Sequence, residues 1–350
     1  MTFRAGLLLT LPLLAVAETA EMLAGVVQEH GDSGVIKVMR QPLPSPGPGE
    51  VQVQIAYAGV NFIDIYFREG TYASTLPLVP GLEGGVVQSA GPGAEVWLGR
   101  RVAFVHKGAG GAYAEFAIVP AARLVPLGSE VELRDAAAVL LQGLTAQYLV
   151  DDTIRLQRND TVLVHAGAGG TGRLIIQVAK LRGLRVIATV SCKEKAAVAQ
   201  AAGADEVIIS DYTTFASEVL QMTQNKGVAA IYDGIGNMTF LQGFSCLQPR
   251  GGMVLFGASS GFPRSVNLDV LAKGSKSLVR PTLFDFIAQD AELRTRAAMV
   301  MGWVQAKQLK LQTTILPLSD AAEAQRRLQS RETTGKLLLE VRRPEASSEL

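Results

Sequence analysis

Apolar residues follow two different periods along this chain, and the clearest pattern lies near its centre. Residues 162–166 form a short apolar run of the kind found in strands that are buried on both faces. Glycines follow at Gly167, Gly169 and Gly172 with the spacing G-x-G-x-x-G. Apolar residues then recur at helical spacing, at Leu174, Ile175, Val178 and Leu181. The pattern predicts a strand, a glycine turn and a helix in direct succession.

Strand-like and helix-like segments continue to alternate after this turn. Further strands are predicted at 184–190, 206–210, 228–232, 253–256 and 277–283. The helices between them are predicted at 193–202, 213–224 and 237–247. Such alternation is typical of a doubly wound parallel sheet with right-handed crossovers.

The part of the chain before the turn has a period of two. Residues 51–57 alternate between apolar and mostly polar positions, which indicates a half-buried strand. Shorter apolar runs recur at 23–28, 34–39, 85–87, 101–105 and 114–119. Glycines and prolines separate them, as in a small barrel. At the other end, a helix at 321–329 and a following strand are expected to return to this barrel.

The glycine turn predicts dinucleotide binding. Its glycines let the backbone approach a pyrophosphate, which the free N–H groups at the start of the helix can hold. An NAD site usually has an acidic residue at the end of the next strand, but residues 189–195 have none there and carry Lys193 and Lys195. Lysine attracts a 2′-phosphate, so the sequence favours NADPH over NADH. A capping box between Ser191 and Glu194 would explain the same residues structurally.

Length and composition narrow the class of protein. A chain of 350 residues with 48% hydrophobic and 19% charged residues predicts about two globular domains with ample core. The net charge of +1 gives no reason to expect a nucleic acid as partner. The two cysteines, Cys192 and Cys246, form neither a disulfide framework nor a zinc pattern.

The first 21 residues do not fit the fold. A short basic start, an apolar stretch at 5–16 and the small residues of 15–17 form a signal-like pattern that is too short to span a bilayer. No other segment is a candidate membrane span. Met22 stands where the first strand would begin, so a start at Met22 is the alternative. A cytoplasmic location is favoured because the extracellular space supplies little NADPH. The alternative is the secretory pathway or an organelle, reached through the signal-like residues 1–17.

Several motifs in order along residues 22–341 carry a resemblance to a known family. They are Asn61-Phe62-Ile63-Asp64-Ile65-Tyr66, Gly70-Thr71-Tyr72, Pro80-Gly81-Leu82-Glu83-Gly84-Gly85, Leu141-Gln142-Gly143-Leu144-Thr145-Ala146, the glycine turn, Tyr232-Asp233-Gly234-Ile235-Gly236, Phe256-Gly257-Ala258-Ser259-Ser260-Gly261, Arg280-Pro281 and Thr333-Thr334-Gly335-Lys336. Together they resemble the zinc-independent quinone oxidoreductases, the zeta-crystallin type, of the medium-chain dehydrogenase/reductase superfamily.

The resemblance implies an α/β protein of two domains. A GroES-like β-barrel catalytic domain would comprise residues 22–143 and 284–350, and a Rossmann NADPH-binding domain residues 144–283. It also implies a homodimer that pairs through the edge of the nucleotide-domain sheet. The expected activity is metal-free hydride transfer from the nicotinamide to a quinone.

Residue roles follow from the same resemblance. The acceptor and the nicotinamide would meet at Asn61, Tyr66, Tyr72 and Thr145. The cofactor would contact Gly167, Gly169, Gly170, Thr171, Gly172, Ser191, Lys195, Tyr212, Gly234, Phe256, Ser259, Arg280 and Arg331. The family usually has a tyrosine where this chain has Ser210, so either Tyr212 replaces it or the 2′-phosphate end is looser. Gly234 stands where serine is common.

Zinc is not expected. Zinc-dependent relatives use thiolate and imidazole ligands, but residues 61–64 and 141–143 contain no cysteine and Leu82 replaces a ligating histidine. The histidines, His30, His106 and His165, have no useful mutual spacing.

Three functions therefore stay open from the sequence. The first is quinone reduction by NADPH, and the second is reduction of a 2-alkenal or enoyl thioester, for which Tyr72 could donate the proton. The third is a non-catalytic, crystallin-like NADPH-binding protein. The intact glycine turn and Asn61 favour an enzyme.

Overall fold

The computed structural model describes residues 20–341 apart from 107 and 109. Residues 1–19 of the signal-like segment predicted at 1–21 therefore lie outside the described part of the chain. The first strand begins at Glu21 and contains Met22. Within the described part of the chain, no helix is long and apolar enough to cross a membrane.

Strands and helices occur in the following order. The strands are β1 Glu21–Val27, β2 Ile36–Pro42, β3 Glu50–Ile55, β4 Tyr57–Val60, β5 Gly85–Ala90, β6 Arg101–Phe104, β7 Phe116–Pro120, β8 Leu124–Pro126, β9 Thr161–Val164, β10 Arg185–Val190, β11 Glu206–Ile209, β12 Val228–Asp233, β13 Leu247–Leu255, β14 Ser277–Val279, β15 Thr313–Pro317 and β16 Lys336–Glu340. The helices are α1 Phe62–Arg68, α2 Leu133–Asp152, α3 Gly170–Leu181, α4 Lys193–Ala201, α5 Phe215–Met222, α6 Phe240–Gly243, α7 Asp269–Ala272, α8 Leu283–Phe286, α9 Asp290–Gln305 and α10 Ala321–Gln329.

The central sheet has the strand order β11-β10-β9-β12-β13-β14, and all neighbouring strands within it are parallel. In chain order this is 3-2-1-4-5-6, the Rossmann arrangement, so the predicted doubly wound sheet is confirmed. The order reverses between β9 and β12, and the carboxyl ends of these two strands flank a crevice. Ligands of open α/β sheets bind at such a point.

The remaining strands build the barrel region. One sheet has the order β7-β3-β5-β6-β8, another has β15-β16-β4, and β1 pairs with β2. The alternation at residues 51–57 places Val51, Val53 and Ile55 in the core of this region. The C-terminal return is confirmed because β16 pairs antiparallel with β4.

Helix α2 runs without a break across residues 143 and 144, where the sequence places a domain boundary. It packs against α3 and α9, and the three helices share one apolar core. The proposed division into 22–143 with 284–350, and 144–283, stays a prediction.

Three local predictions were wrong. The helix predicted at 237–247 contracts to α6, because the following turn at 244–246 is a 3₁₀ helix that buries Phe244 and Cys246. The last strand ends at Val279 rather than 283, because Pro281 has no N–H for a sheet. The N-cap position of α4 is Cys192, which makes no side-chain cap, so the capping box of Ser191 and Glu194 is not formed.

Candidate active site

The site is a cavity of about 300 Å³ at the crevice between β9 and β12, closed on one side by the barrel region. Every predicted site residue except Gly167 lines it. Those residues are Asn61, Tyr66, Tyr72, Thr145, Gly169, Gly170, Thr171, Gly172, Ser191, Lys195, Tyr212, Gly234, Phe256, Ser259, Arg280 and Arg331. Gly167 lies beneath the turn, where an added Cβ would be 2.8 Å from Cβ of Ala188.

The glycine turn is a cradle that side chains would fill. A Cβ at Gly172 would lie 2.3 Å from the carbonyl oxygen of Ala166, and one at Gly170 would lie 2.3 Å from Oε1 of Gln142. Gly169 is the N-cap of α3, so the first N–H groups of this helix face the crevice without a side-chain cap. Such a helix start suits an anion.

A loop from the barrel region is attached to the same turn. The amide of Gly335 donates to the carbonyl of Ala168 at 3.0 Å. Further along the crevice, Nζ of Lys195 donates to the carbonyl oxygen of Arg331 at 2.6 Å. The loop 331–335 therefore holds both the turn and the start of α4.

One end of the crevice is cationic and contains no acidic side chain in its lining. Ser191, Lys195, Tyr212 and Arg331 line this end, and the guanidinium of Arg331 donates to the carbonyl oxygen of Ser259 at 3.3 Å. Tyr212 has a left-handed backbone, with φ of 74°, and its amide donates to Oγ of Ser210 at 2.9 Å. Tyr212 therefore lies at the cavity while Ser210 supports the turn that places it there.

The other end is aromatic. Tyr66 lies between Phe62 and Tyr72, with ring centroids 5.9 and 5.1 Å away, and Phe262 is 6.1 Å from it. The Tyr66 hydroxyl accepts a hydrogen bond from the amide of Ala258 at 3.1 Å. Burial raises the pKa of Tyr66 and the Ala258 amide opposes that rise. The phenol keeps its proton at neutral pH, and that proton is not used in the bond to Ala258.

Arg280 adds a charge at the aromatic end. Its guanidinium lies 5.1 Å from the ring centroid of Phe262 and donates to the carbonyl oxygen of Leu255 at 3.4 Å. The ring contact and the carbonyl fix the cation beside Tyr66, whose pKa it lowers against the larger effect of burial.

Some residues of the lining were missed from the sequence. Gln142 and Tyr148 line the cavity on the same face of α2 as Thr145, three residues away on either side. Helical spacing around Thr145 could have found both. His165, at the end of β9, also lines the cavity; its Nδ1 lies 2.8 Å from Oγ1 of Thr189. Burial lowers the pKa of His165, so it is neutral at pH 7.

A buried carboxyl lies behind the aromatic end. Oδ2 of Asp64 accepts from the amide of Asn61 at 2.8 Å and from the hydroxyl of Tyr113 at 3.1 Å. Burial raises the pKa of Asp64 to about 7, partly opposed by the Asn61 amide. A pKa above that of the unfolded chain means that folding favours the protonated form. The resulting stability is complete at pH below about 4 and is lost as pH rises through about 7.

Asp64→Asn is expected to remove this pH dependence, because the amide keeps an acceptor oxygen and carries no charge. We expect the melting temperature of the variant, measured by calorimetry, to rise relative to that of the wild type as the pH increases from 5 to 8. For Asp285→Asn, which changes an exposed carboxylate, the difference in melting temperature from the wild type should not vary with pH. A constant difference for Asp64→Asn over this range would contradict the assignment.

The residues are not arranged to hold a metal. Among the described residues, no three His, Cys, Asp or Glu side chains come together as a potential metal site. Leu82 is buried in the apolar core.

Comparisons with known proteins agree with this geometry. Residues 47–129 match the alcohol dehydrogenase GroES-like domain, and residues 170–296 match the family described as zinc-binding dehydrogenase. The probable quinone oxidoreductase of Schizosaccharomyces pombe is 37% identical over 317 residues, which are 89% of this chain and 95% of that protein. The 2-haloacrylate reductase of a Burkholderia species is 34% identical over 292 residues, which are 80% of this chain and 87% of that protein.

A solved structure extends the likeness to the fold. The structure of Escherichia coli quinone oxidoreductase complexed with NADPH superposes with a TM-score of 0.88 at 33% identity, and covers 92% of this chain and 100% of its own. The chain belongs to the zinc-independent quinone oxidoreductases of the medium-chain dehydrogenase/reductase superfamily.

Proposed function

We propose that this protein is an enzyme that reduces quinones with NADPH by metal-free hydride transfer. The observation that carries the proposal is the pairing of a glycine cradle at the sheet crossover with a cationic end on one side and an aromatic end on the other. The quinone oxidoreductases of similar sequence and the NADPH complex of similar fold support the same activity.

The cradle supports a role for each part of the cofactor. The amides at the start of α3, from Gly169 to Gly172, would hold the pyrophosphate. Ser191, Lys195, Tyr212 and Arg331 would surround the 2′-phosphate, and Gly234, Phe256, Ser259 and Arg280 the nicotinamide half. The bound NADPH supplies the hydride.

The aromatic end suits a flat acceptor. Tyr66, Tyr72 and Tyr148 offer ring faces and edges, and Asn61 and Thr145 form the wall between the rings and the cradle. A quinone that accepts a hydride gains two electrons and becomes a resonance-stabilised oxyanion. One proton then completes the hydroquinone, and water can supply it, so no strong acid is required.

The second candidate is reduction of an α,β-unsaturated carbonyl. It is favoured by the free hydroxyl proton of Tyr66, and by the similarity to a 2-haloacrylate reductase. Hydride addition to such an acceptor leaves a carbanion equivalent that needs a proton at carbon. Tyr66 or Tyr72 would be the donor.

The test is NADPH oxidation by the purified protein, followed at 340 nm, with ortho-quinones, para-quinones and 2-alkenals. We expect turnover with quinones, less with NADH as the donor, and little loss in Tyr66→Phe because water can protonate the product. Turnover with 2-alkenals alone, lost in Tyr66→Phe or in Tyr72→Phe, would establish the second candidate instead. NADPH binding without turnover would indicate a crystallin-like role.

We further propose a homodimer and a cytoplasmic location. Strand β14 is one of the two edge strands of the central sheet, and the exposed apolar residues Met238, Leu241 and Leu268 lie between β12 and β14 along the chain. An unpaired edge with apolar neighbours suits a second copy of the chain. The location rests on the supply of NADPH inside cells.

A further inference from the structure

A buried ion pair lies directly behind the wall of the cavity. Nζ of Lys336 is 3.1 Å from Oε2 and 3.2 Å from Oε1 of Glu83. The exposed fraction is 3% for Lys336 and 0% for Glu83. The same ammonium donates to Oδ1 of Asn61 at 2.6 Å. Asn61 lines the cavity, and so does Leu141, whose backbone amide donates to Oε1 of Glu83 at 3.3 Å. Asn61 is the side chain through which the pair reaches the site.

The amide of Asn61 is fixed in one orientation. Its Oδ1 accepts from Lys336 and, at 3.4 Å, from Nε2 of Gln142. Its Nδ2 donates to the carbonyl of Gly59 at 3.2 Å and to Oε2 of Glu83 at 3.4 Å. Rotation by 180° would place the NH₂ group against an ammonium and the oxygen against a carboxylate. The ion pair therefore selects one rotamer of a residue at the cavity wall.

The surrounding chain makes room for this arrangement. A Cβ at Gly59 would lie 1.4 Å from Oε2 of Glu83 and 2.7 Å from Cε of Lys336. Glu83 has φ of 97°, a strained backbone for a residue with a side chain. Lys336 and Asn61 are 275 residues apart, and the pairing of β16 with β4 brings them together.

Stability alone does not account for the pair. Two charges taken out of water lose hydration that their attraction only partly restores, and apolar replacements of similar size are often neutral or stabilising. Burial raises the pKa of Glu83, with Lys336 opposing that rise, which is the signature of this desolvation. A pair that is held at a strained residue and a glycine, and that touches the cavity through Asn61, points to a role in the reaction.

We propose that Lys336 and Glu83 are positioning residues for hydride transfer, which act by holding the Asn61 amide at the point where the nicotinamide and the acceptor meet. The proposal rests on the proposed function. Neither side chain lines the main cavity, so each acts through Asn61 rather than on the substrate.

Five variants test the proposal. Lys336→Met and Glu83→Gln each break the pair, Lys336→Met/Glu83→Gln removes both charges, Asn61→Ala removes the amide, and Asn61→Ala/Lys336→Met combines two of these changes. Arg185→Met is the matched control, because Arg185 bonds Glu206 at 2.6 Å on β10 and β11, away from the cavity lining. Stability is measured by calorimetry, NADPH affinity by titration, and hydride transfer by single-turnover stopped flow.

We expect Lys336→Met to slow hydride transfer by about 10- to 100-fold, the effect of a misplacement of about 1 Å, with NADPH affinity within about threefold of wild type. The single variants should lose stability because each leaves a buried partner unpaired, and the double variant should regain it without regaining the rate. Lys336→Met in the Asn61→Ala background should slow the reaction no further.

The emission of bound NADPH without an acceptor gives a readout that does not depend on turnover. Lys336→Met and Asn61→Ala should shift it alike, and Arg185→Met should not shift it. A rate that recovers with stability in the double variant would show a purely structural pair. The proposal would also be overturned if the rate of Asn61→Ala/Lys336→Met fell by the product of the two single losses. An unshifted emission in Lys336→Met would overturn it too. An inactive wild type refutes the proposed function, while the emission still decides the role of the pair.

Discussion

Gly172→Ala is expected to weaken NADPH binding at least 100-fold. The added Cβ would lie 2.3 Å from the carbonyl oxygen of Ala166 and 3.2 Å from Cα of Gly167, and both contacts are backbone. The turn must open to relieve them, which moves the amides at the start of α3. Loss of two charge-assisted hydrogen bonds of about 1.5–3 kcal/mol each is enough for this factor. Isothermal titration of the purified variant with NADPH measures it.

Gly302→Ala is the control for the effect of alanine in a helix. Gly302 lies within α9, and nothing is within 4 Å of the position its Cβ would take. This variant should keep its NADPH affinity and gain about 0.5–1 kcal/mol of stability. Wild-type affinity in Gly172→Ala would mean that the pyrophosphate is not held at this turn.

Lys195→Glu is expected to invert the preference for NADPH over NADH. The lysine lies at the cationic end beside Ser191, and its Nζ bonds the carbonyl of Arg331. A carboxylate about 4 Å from a 2′-phosphate loses on the order of 4 kcal/mol per charge pair at an effective dielectric constant near 20, and less at a half-exposed site. We therefore expect NADPH affinity to fall about 100-fold, while NADH affinity, which involves no such phosphate, stays nearly constant.

The measurement is the ratio of kcat/KM for the two coenzymes with one quinone. Lys193→Glu, two residues earlier on the exposed first turn of α4, is the matched control and should leave the ratio unchanged. An unchanged ratio in Lys195→Glu would show that the phosphate is read elsewhere, with Arg331 the remaining cation of that end.

Local patterns in the sequence predicted the central fold and the glycine turn, whereas most other candidate site residues came from the resemblance to a family. A buried strand, a glycine turn and an amphipathic helix each leave a signature within a few residues, and repetition of the unit determined the sheet. Lys195 was singled out from a local pattern too, since it lies five residues after the end of β10, in the first turn of α4.

Contacts between distant segments left no such signature. The bond from Ala258 to the Tyr66 hydroxyl joins residues 192 apart, and the one from Lys336 to Asn61 joins residues 275 apart. Helix α2 continues through Gly143, which lies against Val300 of α9, and this packing between two distant helices left no local pattern in the sequence. Ser191 and Glu194 have the residue types of a capping box, but the N-cap of α4 is Cys192, one position after Ser191.

The five residues of the loop 331–335 form a strap that connects the glycine turn with the start of α4. At one end, the amide of Gly335 donates a hydrogen bond to Ala168 of the glycine turn. At the other end, the carbonyl of Arg331 accepts one from Lys195 of α4. A cut or an insertion within the strap would loosen the grip on the coenzyme at two places at once, although it would alter neither the glycines nor the lysine.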